Sequence, residues 1–141
     1  MALQWNSTLS VGVAEIDAQH QELFRRVDRL LDSMLRNDRS EAVRLLAFLG
    51  EYVVVHFGDE ERLMDEVDYH ERARHAGEHQ QFRAGLRELA LALAERGPTA
   101  SLVLQLERET IGWLKDHVYF TDLALGRFVL AHRASAPARS A

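Results

Sequence analysis

The sequence predicts an all-α protein: an antiparallel up-down-up-down four-helix bundle behind an extended N-terminal arm. Three observations carry this. Only two prolines, Pro98 and Pro137, interrupt a chain rich in Leu, Ala, Glu and Arg, residues that favour helix. Four segments repeat apolar residues at intervals of three and four, the mark of one buried stripe, and no stretch of useful length alternates as a strand would. The connections between these segments are short, which sets consecutive helices antiparallel and adjacent.

Taken in order, residues 1–17 lack helical periodicity and include Gly12, so they read as an arm. Trp5, Leu9, Val11, Val13 and Ile16 would cover one end of the bundle, and Asp17 would cap the first helix. That helix is expected over 18–36, with Leu23, Val27, Leu30, Leu31 and Met34 on its stripe and His20 in line with them. A turn at 37–40, with Ser40 as cap, leads to a second helix over 41–64, carrying Leu45, Phe48, Leu49, Tyr52, Val53, His56, Glu60 and Met64. A third helix is expected over 69–95, with His75, His79, Phe82, Leu86, Leu89 and Leu93 facing inward. Gly97-Pro98 ends it. The fourth begins near Thr99 and turns Leu102, Leu106, Trp113, His117 and Phe120 inward. Residues 131–141 are small and polar and read as a flexible tail. The whole of 1–141 forms one domain.

Composition narrows the function classes. An apolar fraction of 47% and a charged fraction of 28% suit a soluble globular domain. The net charge of -5 is spread over mixed signs without a basic stripe, so no nucleic-acid partner is expected. Without cysteine there is no disulfide, thiolate site or cysteine nucleophile. The opening Met1-Ala2-Leu3-Gln4-Trp5-Asn6 has neither the basic start nor the apolar run of a secretory leader. No apolar run approaches the ~18 residues needed to cross a bilayer. A soluble, cytoplasmic monomer without a membrane partner is expected.

The chemistry concentrates between His56 and His79. His56 with Glu60, and His75 with His79, each stand four residues apart, so the members of a pair share one helix face about 40° apart and ~6 Å from each other. Residues 64–69 between the pairs are short and polar enough to reverse direction. Two antiparallel helices thus each offer two ligand-type groups to one place. His20 lies on an earlier stripe, and His117 and Asp122 on a later one. A lone histidine is most often a satisfied core or surface residue; His70, in a turn, and His132, near the end, are read that way. Five histidines and two carboxylates on inward stripes are different, because such a core would be costly without a cation.

Imidazole and carboxylate without sulfur suit iron, zinc or manganese. Seven groups are too many for one ion. If both carboxylates bridge two ions together with one solvent-derived oxygen, and the histidines divide three and two, one ion is six-coordinate and the other five-coordinate. One position is then open to a ligand. The Glu-x-x-His repeat of ferritin-like di-iron bundles and the His-Glu-x-x-His of zinc proteases are both absent.

His20, His56-x-x-x-Glu60, His75-x-x-x-His79 and His117-x-x-x-x-Asp122 resemble, in order, the full ligand set of the hemerythrins. Neighbouring words are similar too: Trp5, Ser10-Val11-Gly12-Val13, Ile16-Asp17-Ala18-Gln19-His20, His56-Phe57, Glu60-Glu61-x-Leu63-Met64 and Trp113-Leu114. The resemblance spans about residues 5–125 and is nearest the single-domain bacteriohemerythrins. It departs at Asp68-Tyr69-His70, where the family often has Gly-Tyr-Pro.

The resemblance implies reversible dioxygen binding, as carrier, store or sensor, at two iron ions joined by an oxo or hydroxo bridge. His75, His79 and His117 would hold the six-coordinate iron, His20 and His56 the open one, and Glu60 and Asp122 would bridge them. No catalytic residue is implied, although a di-iron enzyme acting on peroxide or nitric oxide, and a zinc-bound structural bundle, are the rival readings. Leu23, Phe24, Phe57, Met64, Trp113, Leu114 and Val118, each within about a turn of a ligand, would wall the dioxygen pocket. His117 and Asp122 are five residues apart, which on a regular α-helix separates them by about 140°. A widened i to i+5 turn, a π-bulge, is therefore expected between them.

Overall fold

The computed structural model describes residues 4–135. Four rods form the bundle: α1 (Ala14–Leu35), α2 (Arg39–Glu66), α3 (Arg72–Arg96) and α4, a continuous rod over 100–135. α1 packs on α2 and α2 on α3; α4 closes the ring against α3 and α1. The core of the bundle joins Leu23, Val27, Leu30, Leu49, Leu89 and Leu106 among others. No strand occurs among the described residues.

The arm reaches across one end as its apolar residues require. After a 3-10 turn at Ser7–Leu9, Val11, Val13 and Ile16 pack with Leu63, Met64 and Val67 from the end of α2, Tyr69 from the turn, and Leu125 and Val129 of α4. Trp5 and Leu9 lie against the main core. Asp17 does not cap α1. The helix begins three residues earlier, at Ala14 after an extended Val13, and Asp17 points back to accept from the Ser10 hydroxyl (2.5 Å) and the Val11 amide (2.8 Å). It therefore fastens the arm to the first turn of α1.

The other helix ends differ from expectation by one to five residues. Asp38, not Ser40, caps α2, accepting from the Glu41 amide at 3.1 Å. The chain reverses after α2 through Asp68 at φ +52°, and α3 begins at Arg72 rather than Tyr69. Gly97, at φ +74°, ends α3, and the Thr99 hydroxyl accepts from the Leu102 amide to start α4. The last helical stretch runs through Ser135, past the Leu130 where the tail was expected; residues 136–141 lie outside the described part.

α4 is not a uniform α-helix. Leu106–Ile111 and His117–Asp122 are π-helical turns set between α-helical pieces. The second is the widened turn the five-residue spacing demands. The first has no counterpart in the sequence reading. Two residues expected inward are not. Phe120 is 65% exposed, because the wide turn swings it out while drawing Asp122 in. Phe48 is 45% exposed beneath the Arg44 guanidinium, and Leu46 takes the core position beside it.

Candidate metal centre

Each of the four rods delivers polar side chains to one buried point, nearer the end of the bundle that carries the α2–α3 turn. His20 comes from α1, His56 and Glu60 from α2, His75 and His79 from α3, and His117 and Asp122 from the second π turn of α4. None of the seven is more than 3% exposed. Their helical register explains the convergence: the four-residue spacings keep each pair on one face, and the π turn does the same for the five-residue spacing.

The geometry sorts them into two sets. Glu60, His75, His79, His117 and Asp122 form one group able to hold a metal ion, and His20, His56, Glu60 and Asp122 form another. The two carboxylates belong to both, and each divides its oxygens between them. Glu60 Oε1 lies 3.1 Å from Nε2 of both His75 and His79, while Oε2 lies 2.9 Å from Nε2 of His56 and 3.3 Å from that of His20. Asp122 Oδ1 lies 3.0 Å from His75 Nε2 and 3.2 Å from His117 Nε2, while Oδ2 lies 2.9 Å from His20 Nε2.

The Glu60 contacts with His20, His75 and His79 have hydrogen-bond geometry, but those of Asp122 do not. Neither Asp122 oxygen has an aligned hydrogen-bond donor, and neither does His117 Nε2 have a partner, despite separations of 2.9–3.2 Å. Two ligand atoms that are each about 2.1 Å from one ion and at right angles across it stand about 3.0 Å apart, with their lone pairs meeting at the ion rather than at each other. The donor set and its spacing fit a pair of cations.

Three further side chains hold the histidines, and sequence reasoning missed them. The His79 Nδ1–H donates to Glu61 Oε2 at 2.9 Å, and the His117 Nδ1–H to Glu78 Oε1 at 2.9 Å, where Thr121 Oγ1 also donates. The His56 Nδ1–H donates to Gln19 Oε1 at 2.8 Å, while Gln19 Nε2 donates to Asp59 at 2.6 Å, which fixes the amide the right way round. A carboxylate can only accept, so Nδ1 carries the proton and the Nε2 lone pair turns to the centre. Each of these holders is the sequence neighbour of one of the seven: Gln19 of His20, Glu61 of Glu60, Glu78 of His79. A neighbour lies about 100° round the helix, which places it beside the inward stripe and against the next rod. That adjacency is the signal that could have found them.

Aromatic rings complete the surroundings. Phe57 stacks on His79 with centroids 3.9 Å apart and planes 6° apart, and Trp113 stacks on His117 at 4.5 Å and 10°. Phe24, Leu23, Met64, Leu114 and Val118 are all buried, and Trp113 is half-buried. His70 and His132 are exposed and belong to neither group.

The electrostatics of the protein part favour positive charge here. Burial pulls the basicity of His20 down, but its contacts with Asp122 and Glu60 outweigh this and push its pKa up to about 10; the same pair takes His75 up to about 9. Burial would raise the two carboxyls, yet the surrounding imidazoles hold Glu60 well below its usual range and Asp122 below its own. Two buried carboxylates need cations, and in their absence protons on the histidines serve.

The family model described as the hemerythrin HHE cation binding domain matches residues 11–129. The chain belongs to the hemerythrin family. Among relatives, bacteriohemerythrin of Methylococcus capsulatus is 31% identical over 83% of this chain and 86% of its own length, and bacteriohemerythrin of Aquifex aeolicus is 29% identical over 84% and 90%. Myohemerythrin of Riftia pachyptila is 27% identical over 84% and 86%. Crystal structures of hemerythrin variants with one leucine replaced by alanine or tyrosine superpose with a TM-score of 0.79, at 26% identity, over 92% of this chain and 98% of theirs. The four-helix bundle and the cation-binding cluster are thus those of a hemerythrin domain, a family whose centre holds two iron ions.

Proposed function

We propose that this chain binds dioxygen reversibly, as a carrier, store or sensor, at a non-haem di-iron centre. His75, His79 and His117 would hold one iron, His20 and His56 the other, and Glu60 and Asp122 would serve both. The carrying observation is the division of each carboxylate, one oxygen toward the three-histidine set and one toward the two-histidine set, about 3 Å from the imidazole nitrogens. When bound, a pair of ferrous ions supplies the two electrons and the open position that dioxygen uses.

The chain's own part is to place, dry and isolate. Gln19, Glu61 and Glu78 each pin an Nδ1–H, so the facing nitrogens are fixed before any ion arrives. The two-histidine position has four protein groups against five at the other, so the vacancy for a ligand falls beside His20 and His56. Leu23, Phe24, Phe57, Met64, Leu114 and Val118, all buried, together with the half-buried Trp113, would wall the dioxygen pocket and keep water from it; of these, Phe57 and Trp113 stack on His79 and His117. The reading is of a binding protein, not an enzyme, working as a cytoplasmic monomer without a nucleic-acid or membrane partner. No helix among the described residues is long and apolar enough to cross a membrane.

The test is optical. Protein loaded with ferrous iron without air, then exposed to air and degassed, should gain and lose a visible absorption band over repeated cycles. Irreversible oxidation on first exposure would favour the enzyme reading; no band with iron bound would refute dioxygen binding.

A further inference from the structure

The three side chains that hold the histidines are unevenly shared between the two metal positions. At the three-histidine position, His79 and His117 donate to the carboxylates of Glu61 and Glu78. At the two-histidine position, His56 donates to the neutral amide of Gln19; Nδ1 of one histidine at each position, His75 and His20, has no partner. The nearest carboxylate on that side is Asp59, one step behind the Gln19 amide and paired with Arg62. Glu78 meets Arg74 at 3.4 Å, but its Oε1 is the atom given to His117.

An imidazole whose outer N–H faces an anion is a stronger donor through its other nitrogen than one facing an amide or nothing. The three-histidine position therefore has two strengthened ligands and the other has none. We propose that Glu61 and Glu78 are positioning residues that make the two sites unequal: the first ion enters among His75, His79 and His117, and the second is held more weakly by His20 and His56. This rests on reading the seven residues as ligands of two ions, but not on dioxygen chemistry.

Cobalt(II) alone can test it. Titration of the metal-free full chain should show two steps, the first at least about tenfold tighter. Proton NMR after one equivalent should show the ring resonances of three histidines, His75, His79 and His117, shifted by the paramagnetic ion. The E61Q/E78Q double variant should weaken the first step by about 10–100-fold and the second far less. Gln19→Glu, which puts an anion behind His56, should tighten the second step. If the double variant does not fold, the single variants E61Q and E78Q must each narrow the gap. A single step for both ions, two shifted histidines after the first equivalent, or equal weakening of both steps in the double variant would overturn the proposal. If cobalt follows the expected order but the ferrous protein shows no reversible band, the dioxygen reading fails and this one stands. A reversible band with a one-step titration overturns this one alone.

Discussion

The carbonyl oxygen of Val11 occupies the space where a side chain on Gly126 would have to begin. A Cβ built on residue 126 overlaps that oxygen and comes to 2.9 Å from the Val11 Cβ. The close approach lets the arm lie directly on the last stretch of α4, sealing the end of the bundle nearest the arm. Helix propensity alone would make Gly126→Ala stabilising by about 1 kcal/mol. The overlap predicts the opposite sign: a loss of about 1–3 kcal/mol, with earlier release of the arm. Thermal or denaturant unfolding gives the sign, and a more stable variant would show that the arm yields easily.

Glu60 serves both metal positions, so replacing it should harm both. Glu60→Gln keeps the shape and removes the charge. The expectation is fewer than about one ion bound per chain after iron or zinc loading, because neither position then has enough anionic oxygen to offset an ion's desolvation. Metal analysis after gel filtration is sufficient. Two retained ions would mean that Asp122 bridges alone.

Stability of the metal-free protein should fall as the solution becomes alkaline. His20 and His75 are raised to about 10 and about 9 in the folded chain, against an unfolded value of about 6.5. A raised pKa contributes stability that is complete below the unfolded value and is lost as pH climbs through the folded one. Chelator-treated protein should therefore melt highest near about pH 6 and progressively lower toward about pH 10. Metal-loaded protein should show little of this slope, since cations replace the protons. A flat profile for the metal-free form would indicate that the histidines are not the partners of Glu60 and Asp122 there.

Leu114 stands one turn before His117 and is 1% exposed. Leu114→Ala should cost about 2–5 kcal/mol of stability, as core truncations do. It should also shorten the life of the oxygenated form by admitting water beside the centre. Leu93→Ala, a cut of equal size among residues with no exposure at the far end of α3, serves as control. It should lower stability alike and leave the oxygenated form's lifetime unchanged. Equal lifetimes in the two variants would remove Leu114 from the wall of the pocket.

Much of this was legible in the residues themselves. The four stripes, the inward position of all seven polar groups and the widened turn at His117–Asp122 follow from periodicity, because a spacing of four or five either fits a shared face or forces a distortion. What was hidden depends on contacts between distant segments. Nothing near Asp17 says that its carboxylate binds backward to Ser10 and Val11 rather than forward to its own helix. Phe120 looks like a core residue until the bulge rotates it outward, and Leu45, Leu46 and Phe48 compete for one inward face that only neighbouring rods can assign. The π turn at Leu106–Ile111 contains no pair of chemical groups whose spacing would announce it.

That unannounced turn has a bearing on how the protein can be altered. Each wide turn absorbs one residue beyond what a regular helix of the same facing would carry, so α4 holds two in reserve. An engineer could remove one exposed residue from Leu106–Ile111 and tighten that coil without twisting the Trp113–His117 segment away from its neighbours. Cutting the same residue from an ordinary stretch of α1 would swing everything beyond it by about 100°. Among the described helices, only the last rod carries such turns, and within it chain length and orientation can be adjusted independently.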